Sequence, residues 1–121
     1  MSIRIEIYLI HNTILSRNRQ GMTNYYENLD SILSQYRFKF LNSYEHGDYI
    51  AAAAFLHAMN CAHPPDAQLE DMQAFSVGGD SLTSLVSKTH RAKVYCDKWL
   101  PKLEQAMAEF RQDNQEAYNQ I

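Results

Sequence analysis

The spacing of apolar positions changes once along the chain. Ile3, Ile5, Ile7 and Leu9 alternate with Arg4, Glu6 and Tyr8, a period of two that puts four aliphatics on one face of an extended strand. No other segment alternates comparably, so a strand here needs a foreign edge or a second copy of itself, which makes it a candidate seam for a homodimer. The polar, basic stretch from Asn12 to Gly21 reads as a linker ahead of a second methionine. The expected organisation is an N-terminal strand or tail with its linker over residues 1–21 and one helical domain over residues 22–121, with Met22 as a candidate native start.

From Asn24 the period becomes that of helices. Asn24 and Glu27 form a capping box, and Tyr25, Leu29, Ile32, Leu33, Tyr36 and Phe40 recur at steps of three and four. His46-Gly47-Asp48 ends this helix and caps the next, Tyr49 to Ala62, whose alanines Ala51 to Ala54 predict a central position with close neighbours. Pro64-Pro65 stops it, and Asp66 predicts a short helix through Ala74. Beyond Gly78-Gly79, a helix capped by Asp80 or Ser81 runs to about Trp99, buries Leu82, Leu85, Val86, Thr89, Ala92, Cys96 and Trp99, and gives way at Pro101 to a last helix over 102–118. The fold class is all-α: a compact bundle of four to five helices with an N-terminal extended strand or tail.

Composition adds limits rather than an identity. At 121 residues and 45% hydrophobic content, the chain has room for a core without metals or disulfides. Two cysteines are too few for a disulfide-built secreted scaffold, so a reduced, cytoplasmic chain is expected. The most apolar run, Tyr49 to Ala62, is shorter than the roughly 20 residues of a membrane-spanning helix and contains His57 and Asn60. A net charge of −3 excludes a globally basic nucleic-acid binder. The charge is unevenly placed, however: residues 22–87 carry −6 and residues 88–102 carry +4. Lys88, Arg91, Tyr95, Lys98 and Lys102 share one arc of their helix, so the positive charge forms a stripe with an aromatic in its middle.

No nucleophile with a base, paired carboxylates or phosphate-binding glycine loop stands out, so conventional catalysis is not expected. His57, Cys61 and His63 fall within seven residues and are of types that suit zinc. Their spacing is not that of a zinc finger, and a fourth ligand would have to come from His90 or Cys96. A structural role in the helical core is expected for the trio, with no metal and no resident cofactor.

Phe75-Ser76-Val77-Gly78-Gly79-Asp80-Ser81-Leu82 resembles the attachment motif of acyl and peptidyl carrier proteins. That resemblance implies a phosphopantetheine arm on Ser81. It covers eight residues; past Leu82 the chain lacks the family's Pro-Thr turn, and it sets Lys88 and Arg91 where carriers present acidic residues. Gly47-Asp48-Tyr49 with Ala52 and Pro64 resembles the turn and second helix of one tetratricopeptide unit, which implies a helical hairpin and no array. The leading expectation is a small non-enzymatic regulator, inhibitor or adaptor, of bacterial or mobile-element type, that meets an acidic protein surface through Lys88, Arg91, Tyr95, Lys98 and Lys102. The alternative is a carrier-like domain modified on Ser81.

Overall fold

The computed structural model describes the backbone of residues 5–77 and 84–120 and the side chains of residues 24–77 and 84–120. Among them are four α-helices and no strand: α1 (Ile5–Glu45), α2 (Tyr49–Cys61), α3 (Leu85–Asp113) and α4 (Gln115–Tyr118), with a 3-10 turn at Pro65–Ala67. The all-α bundle expected from periodicity is present. The N-terminal strand is not, because Ile5 to Leu9 and the expected linker from Asn12 to Gly21 belong to the first turns of α1. A lone strand leaves its backbone groups unpaired on both edges, whereas a helix satisfies them within the segment. No proline interrupts residues 5–45, and the one glycine within that range before the hairpin, Gly21, costs only about 1 kcal/mol in a helix interior. Asn24 is therefore an interior residue of α1 rather than a cap, and the dimer seam proposed for that strand has no strand over residues 5–9 to rest on.

The turn between α1 and α2 follows from three residues. Gly47 takes φ +78°, a conformation that favours glycine. Its N–H donates to Tyr44 O at 3.1 Å and the Asp48 N–H to Ser43 O at 2.9 Å, the paired bonds of a Schellman ending. Asp48 then caps α2, its Oδ1 accepting from the Ala51 N–H at 3.2 Å.

The third helix runs antiparallel to α1 and parallel to α2. Tyr26 donates to Asn114 Oδ1 at 2.6 Å, Arg111 pairs with Asp30 at 3.1 Å, and Tyr44 donates to Asp97 Oδ1 at 2.7 Å, so ascending positions on α1 meet descending ones beyond. Along α2 the order is shared: Cys96 Sγ lies 3.8 Å from Tyr49 O, and His63 stacks edge-on against Phe110 at 5.5 Å. The core joins Leu29, Leu33 and Phe40 of α1 to Leu56 and Met59 of α2 and to Trp99 and Leu103 of α3. Ala52, Ala53, Ala92 and Cys96 are wholly shut from solvent, and their small side chains let α2 sit close to its neighbours.

Several expected positions shift. Tyr26 is buried rather than Tyr25, because it meets Tyr118 at 4.7 Å and Phe110 at 5.9 Å, while Tyr25 and Ile32 sit on the flank, each 42% exposed. Pro101 does not begin a helix; α3 passes through it. It stands on the exposed side, where solvent can take up the carbonyl its missing N–H leaves free, and Trp99 and Leu103 hold the helix in the core on either side. The helix expected from Asp66 to Ala74 is replaced by the 3-10 turn, with Asp66 inside it. Asn60 takes both backbone groups of Leu69, accepting from its N–H at 2.9 Å and donating to its carbonyl at 3.3 Å. A side chain that claims those groups removes them from a helical ladder.

Leu56, with no solvent exposure, and Phe38, 72% exposed, bracket the energetics. Leu56→Ala is expected to lower the unfolding free energy by about 2–5 kcal/mol, and Phe38→Ala to change it by no more than about 0.5 kcal/mol, read from urea midpoints at equal m-value.

Candidate functional site

The third helix starts at Leu85, with Ser84 as its cap: the Ser84 hydroxyl accepts from the Ser87 N–H at 3.1 Å. The predicted caps Asp80 and Ser81 lie outside the described residues, and with them the serine of the carrier-like motif. Because Tyr49 stands level with Cys96 and Tyr44 with Asp97, the tip of the α1–α2 hairpin ends short of the first turns of α3. Leu85 to Arg91 run on past that tip for about 10 Å at 1.5 Å per residue. Leu85 and Val86, expected in the core, are consequently 70% and 80% exposed, and inaccessible positions begin at Ala92.

The basic stripe is divided by the connection between α2 and α3. Since those helices are parallel, the connection must travel back along the bundle, and its described part, residues 62–77, does so beside the stripe. Tyr95 donates to Gln73 O at 2.6 Å and packs against Phe75 and Trp99, with ring centroids 5.6 and 6.4 Å away. Burial, with charge on Cys96 and Cys61 adding to it, pushes the Tyr95 phenol up to about 12, so it stays a proton donor at neutral pH. Arg91 Nη2 donates to Val77 O at 3.1 Å. Lys98 and Lys102 remain exposed and flank Trp99, their ammonium groups 4.8 and 5.1 Å from its ring centroid. Lys88 is half-buried on the projecting turns. The five predicted residues thus lie along one side of α3, but Tyr95 and Arg91 fasten the connection while the lysines face outward.

The histidine–cysteine trio is split. Cys61 Sγ lies 3.6 Å from His57 Nδ1 on the surface, while His63 turns inward with Nδ1 2.9 Å from Met59 O. Among the described residues no three His, Cys, Asp or Glu side chains come close enough to hold a metal ion. Cys96 is buried, and that burial, ahead of the nearby Asp97 charge, pushes its thiol up to about 11, which makes it inert.

A second constellation had not been expected. An open cleft of about 520 Å³ between α1 and α3 is lined by Asp30, Ser34 and Arg37 on one side, Glu104 and Arg111 on the other, and His63. Its sequence signal is a heptad step from acid to base in both helices, Asp30 then Arg37 and Glu104 then Arg111, and only the antiparallel register sets each acid opposite a base.

No protein-family model matches the chain, and neither does any curated protein or solved structure. Among the described residues no helix is long and apolar enough to cross a membrane.

Two measurements check this geometry. Burial pulls the pKa of His63 below its usual 6.5, opposed in part by the bond to Met59 O. The folded protein therefore keeps this ring neutral while the unfolded chain protonates near 6.5. The resulting stability is complete above that value and declines as pH falls from it towards the lower folded value. His63→Phe is expected to flatten the dependence of the urea midpoint on pH below about 6.5. Tyr95→Phe removes the bond to Gln73 O and is expected to cost about 1 kcal/mol, with faster amide exchange confined to the connection.

Proposed function

We propose that this protein is a non-enzymatic binding protein that docks an acidic protein surface through the leading half of α3. The observation that carries this reading is the projection of Leu85 to Arg91 beyond the hairpin, which leaves Leu85 and Val86 uncovered beside a run of positive charge. Leu85 and Val86 supply apolar contact area at the leading end of α3, and Lys88, Lys98 and Lys102, further along the helix, supply steering towards a negative partner. Trp99 holds Lys98 and Lys102 in place, so little side-chain freedom is lost when they pair. The partner implied is a protein with an apolar groove rimmed by carboxylates. Tyr95, committed to Gln73, acts as a support for this face rather than as an anchor.

The test is capture from the host followed by reconstitution with the purified candidate. Binding is expected to weaken at least tenfold in Lys98→Glu/Lys102→Glu and in Leu85→Ser/Val86→Ser, and to fall with added salt. Lys39→Glu on α1, where Lys39 sits 5.8 Å from the Phe55 ring, is the control on another face. Unchanged affinity in both α3 variants, with helical content intact, removes the proposal.

A further inference from the structure

The α1–α3 cleft is separate from the basic face and carries chemistry of its own. One end is closed by a crossbar in which Arg111 Nη1 donates to both Asp30 oxygens, at 3.1 and 3.3 Å, while its guanidinium carbon lies 4.1 Å from the Tyr118 ring centroid. Both groups of that bar are occupied. One heptad along, about 10 Å away by helical rise, Arg37 and Glu104 face the same space from opposite helices, and among the described residues neither makes a hydrogen bond or ion pair through its side chain. The cleft thus offers one uncommitted cation and one uncommitted anion.

The third group is His63, only 5% exposed. Its Nδ1 faces the Met59 carbonyl at 2.9 Å. A carbonyl only accepts, so the ring proton sits on Nδ1 and Nε2 keeps its lone pair. No sealed-in side-chain nitrogen or oxygen among the described residues lacks a partner. Nε2, which has none, therefore opens to solvent, and the cleft is the space that His63 lines.

These groups select by sign. An isolated anion satisfies Arg37 but meets Glu104, an isolated cation the reverse, and a metal ion finds no three donors together among the described residues. A lone pair on Nε2 calls for a donor within the cleft that His63 shares with Glu104. Leu33, Met107 and Ala108 supply an apolar wall, and the volume falls in the roughly 300–1,000 Å³ range of small-molecule sites. We propose that the α1–α3 cleft binds a free α-amino acid with an apolar side chain, its carboxylate on Arg37 and its ammonium between Glu104 and His63 Nε2.

The experiment titrates the full chain, with isotopically labelled histidine, at about pH 7.5, where the imidazole is neutral. The probes are L-leucine, isocaproate, which lacks the ammonium, and isoamylamine, which lacks the carboxylate. The expected result is a saturable shift of the His63 Nε2 resonance with millimolar L-leucine, at least tenfold weaker affinity for each truncated probe, and the same loss in Arg37→Gln and in Glu104→Gln. Both substituted positions are exposed, so the thermal midpoint and the His57 resonances serve as a check that the fold is retained. No saturable shift with L-leucine overturns the proposal, as does equal affinity for either truncated probe or unchanged affinity in both variants. None of these outcomes bears on binding through α3.

Discussion

The close seating of α2 between its neighbours is the constraint from which the remaining architecture follows. Ala52 and Ala53 on α2 and Ala92 and Cys96 on α3 have no solvent exposure, and bulk at any of them would push helices apart in a core packed to crystal-like density. Once α3 lies alongside α2 in the same direction, the chain must return the length of the bundle before α3 can start. That return path runs beside the basic stripe and commits Tyr95 and Arg91. The division of the stripe into fastening residues and outward lysines is thus a result of helix direction.

The same register shapes the two ends differently. At the hairpin end, α3 overshoots the Gly47 turn and its leading aliphatics lose their cover. At the other end, Asn114 interrupts the helix and accepts from Tyr26, so that Tyr118 folds back onto Tyr26 and Phe110. The seam at Tyr26 is closed by aromatic packing, and the hairpin end presents an uncovered helix. Between them the α1–α3 seam is held by Asp30 with Arg111 and by Tyr44 with Asp97, which Lys93 also contacts at 2.7 Å.

Where local chemistry decides the structure, the sequence was readable. Gly47 and Asp48 name their turn because a positive φ and a side-chain cap are properties of single residues, and the apolar run to Ala62 has only one compact use. Readings failed where a distant partner decides. Alternation over residues 3–9 suggests a strand only until one asks what would pair with it. Pro101 carries the mark of a helix start yet is tolerated on an exposed face flanked by Trp99 and Leu103. The choice of Tyr26 over Tyr25 depends on Tyr118, far along the chain. The basic face was legible as a face, but the engagement of Tyr95 by Gln73 was not, and Arg37 and Glu104 share a cleft only through an antiparallel register that composition does not encode.

The returning segment is gripped through its main chain: Asn60 holds Leu69, Tyr95 holds the Gln73 carbonyl and Arg91 the Val77 carbonyl. These main-chain bonds are indifferent to which side chains the gripped stretch carries, while Met72 and Phe75 add an apolar hold of their own. Over evolutionary time the burden of preserving this connection falls on the helices that hold it and on those two inward positions, and exposed positions within it, such as Glu70 and Asp71, are at liberty to drift.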